Sequence, residues 1–393
     1  MATRGKGSVW APEWRVLKDP VSGATIRQLT NYFCHNYHLY FTEPGWYDDG
    51  RRLVFVSERE NAHNLFSIDL ESGEILQLTD IDPSAGDLEA KVAVNAVGRQ
   101  VIYYQGGRMV ILDLDTLEER TVYQRPEGYV RGAANVTADG KYVLTYHVKD
   151  LSDRIDDPGF RDYVIGRKGG NSGGFQKMVW EQRPHGMIVR VATDGSGHQV
   201  VYEEDYYLGH VNPSTRLPNV LTFCHEGPWN LVDNRIWGLD LATGKSWKIR
   251  PTEKGEAVGH EYWMGDGVHV GYHGRTAGGA FYGSVRYDNT ERVEAPFTYG
   301  STHFHSLSLD TIVGDGTRTD PYLLLWRLRD GQFQGPKVLA WHRGSMHVGH
   351  IHVHPTMSPY AAQVLYSADP QGYCQVYLAD IPAWDALPDR ASI

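Results

Sequence analysis

The sequence predicts an all-β protein that folds as a seven-bladed β-propeller, in one domain that covers residues 1–393. Its 43 glycines and 24 tyrosines suit short strands and tight turns better than long helices. A pattern of strand-like runs and turns recurs every roughly 40–50 residues, which is typical of a propeller. Two separate β-sandwiches are the alternative, and they explain the repeat poorly.

Seven copies of the pattern follow one another along the chain. Each copy has two strand-like runs and a third run after a turn, which is often Asp-Leu followed by Thr-Gly or Ser-Gly. The copies contain, in order, RRLVFVSE and NLFSIDLESGEILQLTD; RQVIYYQ and RMVILDLDTLEERTVY; KYVLTYH and MIVRVATDGSGHQVVY; NVLTFCHEG and RIWGLDLATGKSWKI; VHVGYHG and AFYGSVRYDNTERVEA; DTIVGDG and YLLLWRLRDGQFQGPKVLAW; AAQVLYSAD and CQVYLADI. The seventh copy stops before its last strand.

The missing strand lies at the other end of the chain. Residues 14–31 have the turn and the outer strand of a copy whose inner strands are absent. We therefore expect the N-terminal segment to complete the last blade, which leaves no open sheet edge. A charged, glycine-rich insertion at about residues 150–183 interrupts the third blade, and both a lid and a solvated loop are compatible with it.

Composition argues against several classes of function. The net charge of −10 argues against general nucleic-acid binding, although a local patch can still bind an anion. Cys34, Cys224 and Cys374 are too few for a disulfide framework or a zinc knuckle. No stretch approaches the roughly 18 apolar residues of a membrane span, and the N-terminus lacks a signal-peptide core. We expect a cytoplasmic protein with no membrane or nucleic-acid partner.

Histidines and cations recur just before the inner strand of each predicted blade. In a propeller these positions and the ends of the second strands are expected at one rim of the channel. They are His38, Lys91, Arg131, His210, His260, His303 and His350, and the second strands add His147, His225, His273 and Arg275. Any one of them can be structural, but such a set suits a ligand that carries carboxylates.

The sharpest local signal is His350-Ile351-His352-Val353-His354. If this segment is a strand, its alternate residues share one face and the three imidazoles point the same way. Together with His303 from the preceding blade, they predict a divalent-metal site. His305 shares the face of His303, and the sequence does not separate the two. A polar strand edge is the alternative interpretation.

Several longer motifs resemble those of oligogalacturonate lyases, polysaccharide lyase family 22, nearly from end to end. They are His38-Leu39-Tyr40-Phe41, Cys224-His225-Glu226-Gly227-Pro228, Leu231-Val232-Asp233, Arg235-Ile236-Trp237, Gly259-His260-Glu261-Tyr262-Trp263, Val313-Gly314-Asp315-Gly316 and His352-Val353-His354-Pro355. The resemblance implies a cytoplasmic seven-bladed propeller that binds Mn²⁺. It also implies cleavage of short, often unsaturated galacturonides by β-elimination, with a 4-deoxy-5-keto uronate as product.

The resemblance also implies roles for single residues. His260 matches the catalytic base of the family, and Arg235 matches an active-site arginine near it. The residues that match three metal ligands are His303, His352 and His354.

Two positions depart from the family pattern. Gly349 stands where the family has a glutamine ligand, and His350 or a water can replace it, so Mn²⁺ or another divalent transition metal is expected. Trp229 stands where the family tends to have a histidine, and it can stack on a sugar ring. The other residues that we expect to contact the substrate, a small oligosaccharide with uronic acid units, are His38, His210 and His225.

The expected chemistry explains why these residue types belong together. Elimination removes the proton at C5, and a divalent cation on the neighbouring carboxylate stabilises the charge that develops, with an arginine adding to it in bidentate fashion. The base must be neutral near pH 7, which suits histidine. Hydrolysis would instead need two carboxylates across the bond, whereas Glu226 and Glu261 stand beside histidines and are expected to orient them. A lyase for a different uronide and a non-catalytic binding propeller remain the alternatives.

Overall fold

The computed structural model describes residues 5–86, 88–89, 91–130, 132–155, 157, 159–160, 172–346 and 351–393. The chain forms two compact units. The first comprises Met1–Leu88, Asp113–Glu118 and Ala295–Ile393, and the second comprises Glu89–Leu112 and Glu119–Glu294. The prediction of a single domain stays a prediction. In the described ranges no helix has the length and apolar character that a membrane crossing requires.

The N-terminal segment contributes strands to two sheets of the first unit. Its strands are β1 (Val9–Trp10), β2 (Arg15–Lys18) and β3 (Thr25–Gln28). β1 pairs with the outer strand of the first sheet, Ile75–Gln77. β3 pairs with the last strand of the chain, Gln375–Asp380, in the register Ile26 to Ala379. The seventh sheet therefore contains strands from both ends of the sequence.

The first unit holds the first, sixth and seventh sheets. The first sheet contains β1 with β4 (Asn36–His38), β5 (Trp46–Tyr47), β6 (Arg52–Ser57), β7 (Asn64–Asp69) and β8 (Ile75–Gln77).

The second unit holds four sheets in chain order. The second sheet contains β9 (Ala93–Asn95), β10 (Gln100–Gln105), β11 (Arg108–Asp113) and β12 (Glu119–Gln124). The third contains β13 (Tyr129–Val130), β14 (Asn135–Val136), β15 (Tyr142–Lys149), β16 (His185–Ala192) and β17 (His198–Asp205). The fourth contains β18 (Leu208–Pro213), β19 (Val220–His225), β20 (Ile236–Asp240) and β21 (Ser246–Arg250). The fifth contains β22 (Ala257–Trp263), β23 (His269–Thr276), β24 (Gly279–Arg286) and β25 (Val293–Pro296).

The last two sheets complete the first unit. The sixth contains β26 (Phe304–Ser308), β27 (Thr311–Gly314), β28 (Tyr322–Arg329) and β29 (Gln332–Trp341). The seventh contains β2, β3, β30 (Thr356–Met357), β31 (Gln363–Ala368) and β32 (Gln375–Asp380). These seven antiparallel sheets confirm the predicted all-β fold of a seven-bladed β-propeller.

The recurring Asp-Leu turn has one physical cause throughout. The carboxylate of the aspartate accepts hydrogen bonds from backbone N–H groups two and three residues on, which closes an Asx turn between the third and fourth strands. In the first sheet Asp69 accepts from Glu71 and Ser72 at 2.9 and 3.1 Å. In the fourth sheet Asp240 accepts from Ala242 and Thr243 at 2.8 and 2.9 Å.

The apolar cores of each unit lie between consecutive sheets. In the first unit Phe55 and Phe66 of the first sheet pack with Leu378 of the seventh. Leu29, which follows β3, belongs to the same core and is completely buried, and its N–H donates to the carbonyl of Val376 at 2.7 Å. The N-terminal segment is therefore part of a core and not only an added edge.

The insertion in the third sheet contains a helix, α1 (Ser172–Gln182), between β15 and β16. Val179 is 5% exposed in a core cluster that also contains Phe160 and Leu208. This part of the insertion is packed against the second unit, and it is not a solvated loop.

We predict that Leu29→Ala lowers the free energy of unfolding by about 2–5 kcal/mol, because it leaves a cavity in a fully buried core. Urea unfolding followed by tryptophan fluorescence measures the effect. Leu17→Ala is the control, since Leu17 on β2 is 42% exposed and should change stability by less than about 0.5 kcal/mol. Equal effects of the two substitutions would contradict a core role for the N-terminal segment.

Candidate active site

Three histidines of the first unit form a cluster. The rings of His303, His352 and His354 each offer a nitrogen, and these nitrogens lie within 4.8 Å of one another. The ring centres of His303 and His354 are 4.3 Å apart, and those of His352 and His354 are 5.5 Å apart. The predicted grouping of these three residues is thus present in the geometry.

The backbone reason for the grouping differs from the predicted one. The prediction of a strand through His352 and His354 is wrong, because β30 begins only at Thr356 and the preceding residues are irregular. His354 has a φ of 42°, a left-handed conformation that only a local bend provides. The imidazoles of His352 and His354 therefore reach the cluster from a bent segment. They do not reach it as alternate residues on one face of a strand. His350 lies outside the described residues.

Asp315 fixes the orientation of His303. One carboxylate oxygen accepts the backbone N–H of Thr302 and of His303 at 2.8 Å, and the other lies 2.8 Å from Nδ1 of the His303 ring. Since a carboxylate only accepts, Nδ1 carries a proton, and in the neutral ring Nε2 then presents the lone pair. This is the tautomer that a metal ligand needs.

The surroundings of the cluster are apolar and aromatic. The rings of Tyr40 and Phe41 lie 4.9 Å from His354 and 5.4 Å from His303, centre to centre. Burial, together with the neighbouring His303, lowers the pKa of His352. A low-dielectric pocket of this kind strengthens any interaction with an ion held inside it.

The structure separates His305 from His303, which the sequence could not do. His305 is buried, and its Nδ1 accepts the backbone N–H of Met357 at 3.1 Å. Burial lowers its pKa to about 4, so the ring is neutral. His305 therefore joins β26 to β30 and is not a member of the cluster.

The prediction that His38 contacts substrate stays a prediction, and in the structure the ring is bonded within the fold. His38 is 6% exposed, with Nδ1 at 2.6 Å from the hydroxyl of Ser367 and Nε2 at 2.8 Å from the backbone carbonyl of His354. Burial lowers its pKa to about 4. The neutral ring therefore donates from Nε2 to the bent backbone at His354, and both of its nitrogens are already used inside the fold.

In the second unit, two inner strands carry the same bulge. Between Gly209 and Asn212 two residues of β18 oppose one of β19, and between Gly259 and Tyr262 two residues of β22 oppose one of β23. The first residue of each bulge is a histidine in the left-handed region, His210 at φ 48° and His260 at φ 51°. Such a conformation costs on the order of 1–3 kcal/mol, and within a strand it often marks a position near a functional site.

Arg235 lies in a buried ion-pair network. Its Nη1 donates to Glu226 at 2.7 Å, its Nε lies 3.5 Å from Glu261, and its side chain is 1% exposed. Burial opposes ionisation of Glu226, but the charges of Arg235 and His210 lower its pKa to about 2. Two of its donors already face glutamates, and the prediction that Arg235 is an active-site arginine stays a prediction.

His210 stands between the same two glutamates. Its Nε2 lies 3.6 Å from Glu226 and its Nδ1 lies 3.5 Å from Glu261. Burial lowers the pKa of His210, although Glu261 opposes this shift. The half-buried ring remains a candidate for contact with a ligand.

A second group of metal-type ligand atoms, from His210, Cys224 and Glu226, also lies within 4.8 Å. The short distances alone do not indicate a metal site here, because the guanidinium of Arg235 already neutralises Glu226. Burial raises the pKa of the Cys224 thiol well above its usual value, so it is protonated. This group therefore works as an ion-pair network around Arg235.

His260 and His273 face each other at hydrogen-bond distance. Nδ1 of His260 lies 3.0 Å from Nε2 of His273. The indole of Trp229 stands edge-to-face against both rings, at 4.8 and 5.5 Å between centres. The guanidinium of Arg235 lies 5.7 Å from the same indole, so Trp229 lies next to the predicted base and the arginine alike.

The prediction that His225 contacts substrate stays a prediction, and in the structure the ring is bonded to two carboxylates. The ring is 4% exposed, its Nδ1 lies 2.6 Å from Asp233, and its Nε2 lies 2.6 Å from Glu204. Burial opposes the charge, but hydrogen bonds to the two carboxylates raise the pKa of His225. Its ring also stacks on Tyr206 at 3.7 Å. His225 is a charged clamp that joins β17, β19 and the loop that precedes β20.

Helix α1 contacts this network, which the sequence did not predict. Gln176 donates to the carboxylate of Glu226, and the indole N–H of Trp180 donates to the hydroxyl of Tyr206 at 3.0 Å. A side chain at Gly227 would meet the Trp180 ring at 2.6 Å, so glycine is required where the helix crosses the loop. A signal in the sequence was the apolar spacing of Phe175, Val179 and Trp180 inside the polar insertion.

Comparison with known proteins decides the family. A family model described as oligogalacturonate lyase matches residues 4–384. The chain belongs to the oligogalacturonate lyase family. It is 25% identical over 409 residues to the oligogalacturonide lyase of Pectobacterium atrosepticum, with 96% of this chain and 98% of the relative covered. The oligogalacturonate lyase of Dickeya dadantii is similar to the same extent.

Solved structures of oligogalacturonate lyases share the fold. One, described as a complex with manganese, matches with a TM-score of 0.84 at 24% identity, over 98% of this chain and all of that chain. Another, from Vibrio parahaemolyticus, matches with a TM-score of 0.82 at 22% identity, over 96% of this chain and 99% of that chain. The predicted family and the predicted fold class of this lyase are confirmed.

We predict that the stabilising effect of His225 depends on pH. Its pKa is raised in the folded state, so its contribution is complete below the unfolded value near 6.5 and is lost as pH rises through the folded pKa. Burial raises the pKa of Asp233, but its bonds to His225 lower it overall. The stability that Asp233 contributes is therefore lost as the pH falls through its folded pKa. The free energy difference between wild type and His225→Gln should be largest near pH 5–6.

Above that range the difference should shrink by at most about 1.4 kcal/mol per pH unit. Urea unfolding at several pH values measures it, with His198→Gln as the control because His198 is exposed on β17. A difference that is independent of pH would show that the ring of His225 is not charged in the folded protein.

Proposed function

We propose that this chain is a metal-dependent lyase that cleaves short, often unsaturated galacturonide oligosaccharides by β-elimination. The proposed product is a 4-deoxy-5-keto uronate. The observation that supports this most directly is the convergence of His303, His352 and His354 in a chain of the oligogalacturonate lyase family. A structure with the same fold is described as a complex with manganese.

The residues of the cluster fit a divalent transition metal. His303 presents Nε2 because Asp315 holds its Nδ1, and the lowered pKa of His352 favours the neutral ring that binds a metal. A set of nitrogen ligands favours transition metals over Mg²⁺ or Ca²⁺, so we propose Mn²⁺ or another ion of that class, held by His303, His352 and His354. When bound, the ion neutralises a uronate carboxylate and stabilises the negative charge that develops at C5.

His260 is the proposed base that takes the C5 proton. A histidine is neutral for much of its time near pH 7, and the ring is only half-buried. The strained backbone at φ 51° fixes the direction of the ring before substrate arrives. This reduces the reorganisation that proton transfer requires.

Arg235 is the proposed active-site arginine next to the base. Its charge is held by Glu226 and Glu261, and it faces the indole that packs against His260. We propose that Trp229 provides an apolar surface for a sugar ring and that His210, which is half-buried, provides a polar contact.

The proposed partner is a small oligosaccharide with uronic acid units, and the proposed location is the cytoplasm. The cysteines support a reducing compartment, because Cys34, Cys224 and Cys374 are all buried free thiols.

We predict that purified protein contains about one divalent transition-metal ion per chain and that chelation abolishes its activity on digalacturonate. His303→Ala should lose the ion because it removes one of three imidazoles. His305→Asn is the matched control two residues further on, in β26, since an amide oxygen can still accept the N–H of Met357. Full activity in the chelated protein would contradict the proposed role of the metal in catalysis.

The same assay separates this proposal from its alternatives. A panel of short galacturonides, glucuronides and mixed uronides is followed by the absorbance of the unsaturated product. Turnover of another uronide alone would point to a different lyase, which Trp229 in place of a histidine would explain. Absence of turnover on every member of the panel would leave a binding function.

We predict that His260→Ala lowers kcat by about 10²–10⁴-fold, because it removes the general base, while metal content stays at the wild-type level. His269→Ala is the control, because His269 lies on β23 and pairs with Asp266 at 2.6 Å. Wild-type rates in the His260 variant would assign the base to another residue.

A further inference from the structure

We propose that His273 is a positioning residue for His260, and this inference rests on the proposed function. In the proposed arrangement Nδ1–H of His260 donates to Nε2 of His273 across 3.0 Å. The lone pair of His260 then lies on Nε2, where it can accept the substrate proton. His273 therefore selects the reactive tautomer of the base.

The strand geometry brings the two rings together. Gly259 pairs with His273 across β22 and β23, so in a regular strand the side chain of residue 260 would point to the opposite face of the sheet. The bulge and the left-handed φ of His260 turn its ring back toward His273. The strained conformation thus has a specific result, a contact between two imidazoles.

The chemistry of imidazole leaves two arrangements for a neutral pair. One nitrogen of each ring carries a proton and the other accepts, so a single bond between the rings has one donor and one acceptor. If His273 donates from Nε2, the Nδ1 of His260 accepts and its Nε2 carries a proton, so Nε2 is no base. If His260 donates, its Nε2 is the base, and only this second arrangement fits proton abstraction at Nε2.

An imidazole is a suitable acceptor for this purpose. A carboxylate in its place would stabilise protonated His260 before reaction and so remove the lone pair. A neutral imidazole holds the tautomer without that cost. After proton transfer to Nε2, the same hydrogen bond becomes charge-assisted and shorter, so it stabilises the protonated base that forms.

Trp229 and Gly259 hold the pair in place. A Cβ at Gly259 would meet the indole of Trp229 at 2.5 Å, so the absence of a side chain allows Trp229 to lie over this part of the strand. From there the indole contacts His260 at an interplanar angle of 89° and His273 at 71°. The two rings are confined together by one aromatic wall.

The test compares substitutions that keep or remove the acceptor. His273→Phe keeps a ring but has no nitrogen, and His273→Gln places an amide oxygen near the position of Nε2. We expect His273→Phe to lower kcat at least about tenfold with KM changed less than about twofold, and His273→Gln to recover part of the loss. His269→Phe, on the same strand, should leave both constants unchanged.

A second measurement does not depend on activity. Nitrogen-15 NMR of histidine-labelled protein reports which ring nitrogen carries the proton, and the signals of His260 are those missing from His260→Ala. We expect His260 to be protonated at Nδ1 in wild type and to lose this preference in His273→Phe. A wild-type His260 protonated at Nε2, or unchanged kcat in His273→Phe, would overturn the inference. Inactivity of wild type on every uronide would refute the proposed function instead, and the NMR result would still decide the tautomer.

Discussion

The bulges in β18 and β22 are the constraint on which the arrangement of His210 and His260 in the second unit depends. In each strand a glycine precedes a histidine with positive φ, and the extra residue breaks the register of the sheet. The bulge turns the imidazole of His260 toward β23 while the rest of the strand keeps its pairing. His354 reaches the other cluster by a comparable local bend. Sheets with many hydrogen bonds thus hold single backbone positions in conformations that isolated segments would avoid.

Charge is handled differently in the two clusters. Around His303 the rings are enclosed by aromatic side chains, with Asp315 as the carboxylate that orients one of them. Around Arg235 two buried carboxylates already balance the guanidinium, and burial keeps the Cys224 thiol protonated. The first environment offers three imidazole nitrogens to an added cation, and the lowered pKa of His352 favours the neutral form that binds a metal. The second is a network in which the charged groups already pair with one another.

Histidine frequency alone did not distinguish functional from structural rings. The sequence analysis placed His38, His260 and His303 before inner strands and His225 at the end of a second strand, all at one expected rim, yet His38 and His225 have both nitrogens bonded within the fold. The partners that decide this, such as Ser367 for His38 and Glu204 for His225, lie far away in sequence. Repeat position predicts where a side chain is, whereas its bonding depends on neighbours that a single repeat does not contain.

The fold was more predictable than the site for a related reason. Strand runs and Asx turns are local, so the seven sheets could be predicted from the spacing of apolar residues and aspartates such as Asp69. The grouping of His352 with His354 was predicted correctly but for the wrong backbone reason, because a left-handed residue has no signature in a His-x-His pair. The docking of α1 on Glu226 needed long-range contacts that composition does not encode.

The pairing of β3 with β32 has a consequence for synthesis of the chain. The backbone N–H of Val376 donates to the hydroxyl of Thr30, which lies 346 positions earlier in the chain. The first strands to be synthesised therefore pair only after the last ones have left the ribosome. During that interval β3 is an unpaired edge next to apolar side chains, which is a template for association between nascent chains. Messages that end early would produce polypeptides with this edge permanently uncovered, and such products should depend on chaperones or be degraded.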